Sequence, residues 1–167
     1  MEIWDGYYRD GTNANFEIVR GKPIPDGIYH IVCDVLVRHI DGDYLLMQRD
    51  YSKPDYGGYY ETTAGGSALK GEDKLACVKR ELYEETGIKS DDFIEIGNNI
   101  SDEKRCFYYS YLCTTDCDKN SIELQEGETM SYKWLNEDEF IRFINSENVI
   151  ESQKERFIDY FREQKYL

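Results

Sequence analysis

The chain has 167 residues, 40% of them hydrophobic and 14% aromatic, which is enough for one ordinary core and too little for two large domains. Its 34 acidic residues outnumber 20 basic ones, and a net charge of -14 argues against binding a nucleic acid polymer or an anionic membrane. No apolar run reaches the roughly 18 residues of a membrane helix, and MEIWDGYYRD lacks a signal-peptide pattern, so a cytoplasmic location is expected.

In chain order, EIWDGYYRDGTNANFEIV holds two β-prone runs around Asp10-Gly11 and predicts a hairpin. It forms an extension over residues 1–27 that ends at the prolines of VRGKPIPDG and leaves room for a homodimer contact. The main body is expected over residues 28–145. IYHIVCDVLVRH and DYLLMQR read as strands of a second hairpin across Asp41-Gly42. GYYETT predicts a third strand leading into Ala64-Gly65-Gly66, where the chain can turn sharply or approach a ligand. In EDKLACVKRELYEETG, the residues Leu75, Val78 and Leu82 fall at helical spacing, with Gly87 as a left-handed stop. DFIEIGNNI, RCFYYSYLCTT and TMSYKWL read as further strands. Asn136 and Glu139 have the spacing of a capping box for a helix carrying Phe140, Ile141 and Ile144. ESQKERFIDYFREQ predicts a C-terminal helix within residues 146–167. Many strands with two or three helices give an α+β class with a mixed sheet.

The helix of residues 72–87 carries an anomaly. Glu81, Glu84 and Glu85 crowd its last turn, where the helix dipole disfavours carboxylates, and Glu81 repels Glu85 at i,i+4. On the helical wheel they share a sector within about 100° beside the packed flank. A solvated face would pair each Glu with Lys four residues on, yet those positions hold Glu85 and Ile88. Hard oxygen ligands beside a glycine turn suit Mg2+ or Mn2+, which would offset the repulsion and draw a polyphosphate to an acidic chain.

Gly66, Glu72 and the run Arg80-Glu81-Leu82-Tyr83-Glu84-Glu85-Thr86-Gly87-Ile88 have the spacing of a complete Nudix box. The chain resembles the Nudix hydrolases over roughly residues 28 to 145. The resemblance implies an α/β/α sandwich with a mixed β-sheet and a pyrophosphatase-type activity, the Mg2+-dependent hydrolysis of a nucleoside diphosphate derivative. Glu81 and Glu85 would be metal ligands, joined or supported by Glu84 and by the Gly65 carbonyl. Arg80 would orient the carboxylates through charge-assisted hydrogen bonds. Glu72 would hold the loop or a further metal through water. The general base stays open among Glu81, Glu128, Glu126, Asp102 and Glu103, with Glu128 placed before the last strand much as such an acid is in relatives. Many relatives carry Pro before the paired glycines, where this chain has Ala64.

Two other functions share the fold. An isopentenyl-diphosphate isomerase would need a catalytic Cys and a metal-binding His just before the box, where this chain has Gly65 and Ser67. A non-catalytic nucleotide-sensing domain would have lost box acids, and all are present here. Outside the box, His30 and His39 read as structural, and the five cysteines as reduced thiols, with no metal at Cys113 and Cys117. Arg49 could meet a phosphate or a surface carboxylate. Tyr59, Tyr60, Tyr108 and Tyr109 could stack on a base, although aromatics at strand spacing are more often core or cross-strand partners.

Overall fold

The computed structural model covers residues 1–167 and contains nine strands and four helices. In chain order these are β1 (Ile3–Tyr7), β2 (Asn13–Val19), β3 (His30–His39), β4 (Tyr44–Arg49), β5 (Tyr60–Thr62) and β6 (Ala64–Ser67), then α1 (Lys74–Thr86). There follow β7 (Phe93–Ser101), β8 (Cys106–Thr115), β9 (Thr129–Leu135), α2 (Glu137–Ile144), α3 (Glu151–Arg156) and α4 (Ile158–Glu163). No helix is long and apolar enough to cross a membrane.

β1 and β2 form the expected antiparallel hairpin. At its tip the Asp10 carboxylate accepts the Thr12 N–H at 2.9 Å, and Gly11 takes φ +88°. The remaining strands make one mixed sheet with β3 at its centre, parallel to β8 along ten residues and antiparallel to β6 from Val32 to Val35. β4 meets β3 only at Arg38–Tyr44, then diverges to pair with β5 and β9. The second hairpin therefore exists only at its turn, because β6 takes the rest of that edge of β3.

The sharp turn falls at Thr63, two residues before the first of the expected glycines. Thr63 sits between β5 and β6 at φ +52°, fully buried, and Gly65 and Gly66 lie within a strand. A β-branched residue at positive φ is strained. Its hydroxyl compensates by accepting the Val37 N–H at 3.0 Å and donating to the Leu45 carbonyl at 2.7 Å. Those are the backbone groups left open where β3 and β4 part.

Alternation along the strands builds two cores. Cys33, Val35, Val37, Leu45 and Met47 face Cys77, Val78 and Leu82 of α1. Leu36, Tyr44 and Leu46 face Phe140, Ile144, Phe157 and Phe161 from α2 to α4. The result is a sheet covered by helices on both faces, an α/β/α sandwich of the α+β class. Asp73 caps α1 by accepting the Ala76 N–H, and Gly87 ends it at φ +76°. Leu75, expected on the packed flank, is 41% exposed. Asn136 and Glu139 form the full capping box of α2.

The C-terminal segment is two short helices rather than one. It breaks at Phe157 (φ −104°, ψ 10°), whose side chain is fully buried. Tertiary packing overrides helical periodicity there. In this arrangement α3 directs Gln153 to Thr62 and Glu61, and Arg156 to Asp34.

Candidate active site

α1 packs its apolar stripe on the sheet, which turns Glu81 and Glu85 toward β6 rather than toward water. Glu85 is 6% exposed, Glu81 is half-buried and Glu84 is exposed. Gly66 leaves the space that Glu81 occupies: a Cβ there would stand 2.7 Å from Glu81 Oε2 and closer still to Oε1.

Arg80 organises this group. Its Nε and Nη2 donate to the two oxygens of Glu72 at 2.5 and 3.0 Å, and Nη2 also donates to the Ser67 carbonyl at 3.1 Å. Nη1 donates to Glu81 at 2.8 Å and to Glu84 at 3.1 Å. Burial alone would lower the guanidinium pKa, but the bonds to Glu72 and Glu81 leave it raised. Glu72 in turn accepts the Leu69 N–H at 2.9 Å, tying the loop before α1 to this network.

A cavity of about 310 Å³ opens beside these residues, lined by Gly65, Gly66, Glu81, Glu84 and Glu85. Glu128 lines it as well, from the segment before β9. Further groups line it that spacing along the chain did not reveal, Lys53 and Gln125 among them. Glu61 on β5 reaches the cavity, and its only signal was a charged residue inside a short β-run just ahead of the glycines. The N-terminal hairpin, read as an appendage, supplies Glu2, Trp4 and Arg20 to the cavity wall.

The acids strain one another electrostatically. Burial raises the Glu85 pKa well above its ordinary value, and the charges of Glu61, Glu81 and Glu128 push it further. Burial also raises Glu61, despite Arg49, and Glu81, despite Arg80. Arg49 donates to Glu61 at 3.0 Å, so its partner is a carboxylate in the cavity and not one on the outer surface. Lys53 pairs with Glu128 at 2.5 Å.

As the side chains stand, no three His, Cys, Asp or Glu groups converge on one ligating point. Arg80 engages Glu81 and Glu84, while Arg49 and Lys53 engage Glu61 and Glu128. The chemistry of the donor set nevertheless fits a hard divalent cation: carboxylate oxygens crowded at a buried wall, with a raised Glu85 that an added positive charge would relieve.

Of the sequence candidates for the base, only Glu81 and Glu128 lie in this cavity. Asp102 is engaged elsewhere, accepting from Arg9 at 2.8 Å and the Tyr29 hydroxyl at 2.6 Å. Glu103, at the same β7–β8 turn, and Glu126 are exposed outside the cavity. The tyrosines considered for stacking do not line it either. Lys133, Arg156 and Lys74 lie over Tyr60, Tyr108 and Tyr109, and Tyr59 packs edge-on against Tyr56. Neither histidine lines the cavity; His39 bonds to the Cys117 carbonyl, and His30 stacks on Trp4.

The NUDIX domain family model matches residues 28–161. The uncharacterized Nudix hydrolase lmo0368 of Listeria monocytogenes is 27% identical over 147 residues, 83% of this chain and 82% of that protein. Among solved structures, DR0079 from Deinococcus radiodurans superposes with a TM-score of 0.69 at 18% identity, over 88% of this chain and 91% of that one. The NUDIX domain of Shewanella oneidensis NrtR, complexed with ADP ribose, superposes at 0.61 and 16% identity, over 82% and 88%.

Proposed function

The chain belongs to the Nudix family of pyrophosphohydrolases, and on that premise we propose that it cleaves the diphosphate linkage of a nucleoside diphosphate derivative with Mg2+, Mn2+ serving in its place. One observation carries the reading: Glu85 is 6% exposed, in a cavity that Gly65 and Gly66 wall and that Glu61, Glu81 and Glu128 also line, close enough for their charges to raise its pKa. Arg80, Arg49 and Lys53 pair with the neighbouring carboxylates and none pairs with Glu85, an arrangement that is unfavourable unless a further cation joins it. That the related NrtR domain is complexed with ADP ribose, a nucleoside diphosphate derivative, supports the substrate class.

Glu81, Glu84, Glu85 and the Gly65 carbonyl would hold the metal. When bound, it would neutralise the diphosphate and lower the pKa of the attacking water. Arg80, fixed by Glu72, keeps Glu81 and Glu84 on the cavity side of α1. Glu128 would take the proton of the water, with Lys53 at 2.5 Å orienting its carboxylate. Arg49, drawn by phosphate oxygens, would release Glu61 toward the same centre.

The test is hydrolysis of a panel of nucleoside diphosphate derivatives with Mg2+ or Mn2+. Glu85→Gln should lower turnover by at least about 100-fold. Its melting temperature without metal should be no lower than that of the parent, since the change removes a charge that burial disfavours. Unchanged turnover rejects the role given to Glu85.

A further inference from the structure

The cavity has one apolar surface. Of its fifteen lining residues only Trp4 is apolar, and it comes from the N-terminal hairpin rather than from the central sheet. On that hairpin Trp4 lies opposite Ile18, and Glu2 shares its face. Ile18 is buried against the body, which leaves the open end of the hairpin, with Glu2, Trp4 and Arg20, over the cavity.

The indole is fixed on two sides. Its Nε1–H donates to Glu2 Oε1 at 2.7 Å, and the other oxygen of Glu2 accepts from Arg20 at 2.9 Å. One ring face stacks on His30 at 4.3 Å and 10°. His30 is itself buried and in contact with the Cys106 thiol at 3.1 Å. With its polar edge satisfied and one face covered by His30, the second face and the benzo edge are what the indole has left to line the cavity. A ring held this way has already lost its rotamer freedom, so a stacking partner gains nearly the full contact.

We propose that Trp4 is the platform for the nucleobase of the substrate, so that the hairpin reads the nucleoside end while α1 and β6 read the diphosphate. The inference rests on the diphosphate reading above and extends it to the group beyond the phosphates. The surroundings decide between occupants. An isoprenoid tail needs a continuous apolar wall, and this cavity has one aromatic ring among polar groups. A quaternary ammonium would favour an indole face, but Arg20 stands beside this one. A nucleobase is flat, uncharged and rimmed with polar atoms, which matches an indole bordered by Glu2 and Arg20.

The experiment uses Glu85→Gln as a non-hydrolysing background and measures binding with Mg2+ by calorimetry. The nucleotide probes are ADP-ribose, CDP-choline, GDP-mannose and UDP-glucose; inorganic pyrophosphate is the base-free probe. Adding Trp4→Leu should raise the Kd of the tightest-binding nucleotide by about 5- to 100-fold while shifting pyrophosphate by less than about twofold, and Trp4→Phe should recover most of the loss. An equal shift for nucleotide and pyrophosphate, no shift for either, or a parent that binds pyrophosphate as tightly as every nucleotide overturns the assignment. If pyrophosphate with Mg2+ binds neither the Glu85→Gln protein nor the protein with Glu85 intact, the diphosphate reading fails first.

Discussion

Replacing Gly66 by alanine tests the contact on which the site geometry depends. The new methyl would stand 2.7 Å from Glu81 Oε2 and nearer to Oε1 and Cδ, so the carboxylate has to swing away from β6. In doing so it gives up the 2.8 Å bond from Arg80, a charge-assisted contact worth about 1.5–3 kcal/mol. Alanine in place of glycine within a strand returns about 0.5–1 kcal/mol of backbone entropy. The net loss is about 1–2 kcal/mol, a fall in Tm of about 2–8 °C for a chain of this size. Turnover should suffer far more, by about 100-fold, because the carboxylate proposed to hold the metal, displaced by about 1 Å, would no longer meet its target. Gly65→Ala is the contrasting variant. Its Cβ would lie 2.8 Å from the Cys33 carbonyl oxygen and 3.1 Å from Asp34 Cα, and backbone of the central strand cannot move aside as a side-chain tip can. That variant should lose about 3 kcal/mol or more in stability. Thermal melts and steady-state assays on both proteins check the pair. A Gly66→Ala enzyme with near-parental turnover would refute the reasoning.

Two further outcomes follow from the geometry. Burial lowers the His30 pKa from 6.5 to about 4, so its neutral form stabilises the fold fully above about pH 6.5, and that contribution is lost as pH falls toward 4. The difference amounts to roughly 3 kcal/mol; His30→Phe, which keeps a ring against Trp4, should flatten this part of the pH–stability curve in urea melts, and an unchanged slope would contradict the assignment. Asn136→Ala removes the acceptor for the Glu139 N–H and should cost about 1 kcal/mol in denaturant melts without changing turnover.

The features legible in the sequence were those with a local cause. The Asp10-Gly11 turn, the Asn136–Glu139 capping box, the Gly87 stop and the strand of IYHIVCDVLVRH each depend on neighbouring residues, and each is present. The acids of α1 were visible because three of them sit where both the dipole and one another disfavour them. The corner at Thr63 was hidden because its strain is offset by backbone groups of β3 and β4, which are distant in sequence. The break at Phe157 was hidden because helical periodicity continues through it and only the second core selects against a straight helix.

By itself, then, the order of residues determined a mixed α+β chain, a family and the helix that carries three carboxylates. Only the folded arrangement decided which other groups join them. Glu61 comes to the cavity from the middle of β5 and Glu128 from the segment before β9, Trp4 and Arg20 from a hairpin that looked peripheral, while Asp102 is drawn away to Arg9 and Tyr29. Spacing along a helix is set by backbone geometry that any sequence displays, whereas proximity across a sheet depends on register and packing summed over the whole chain.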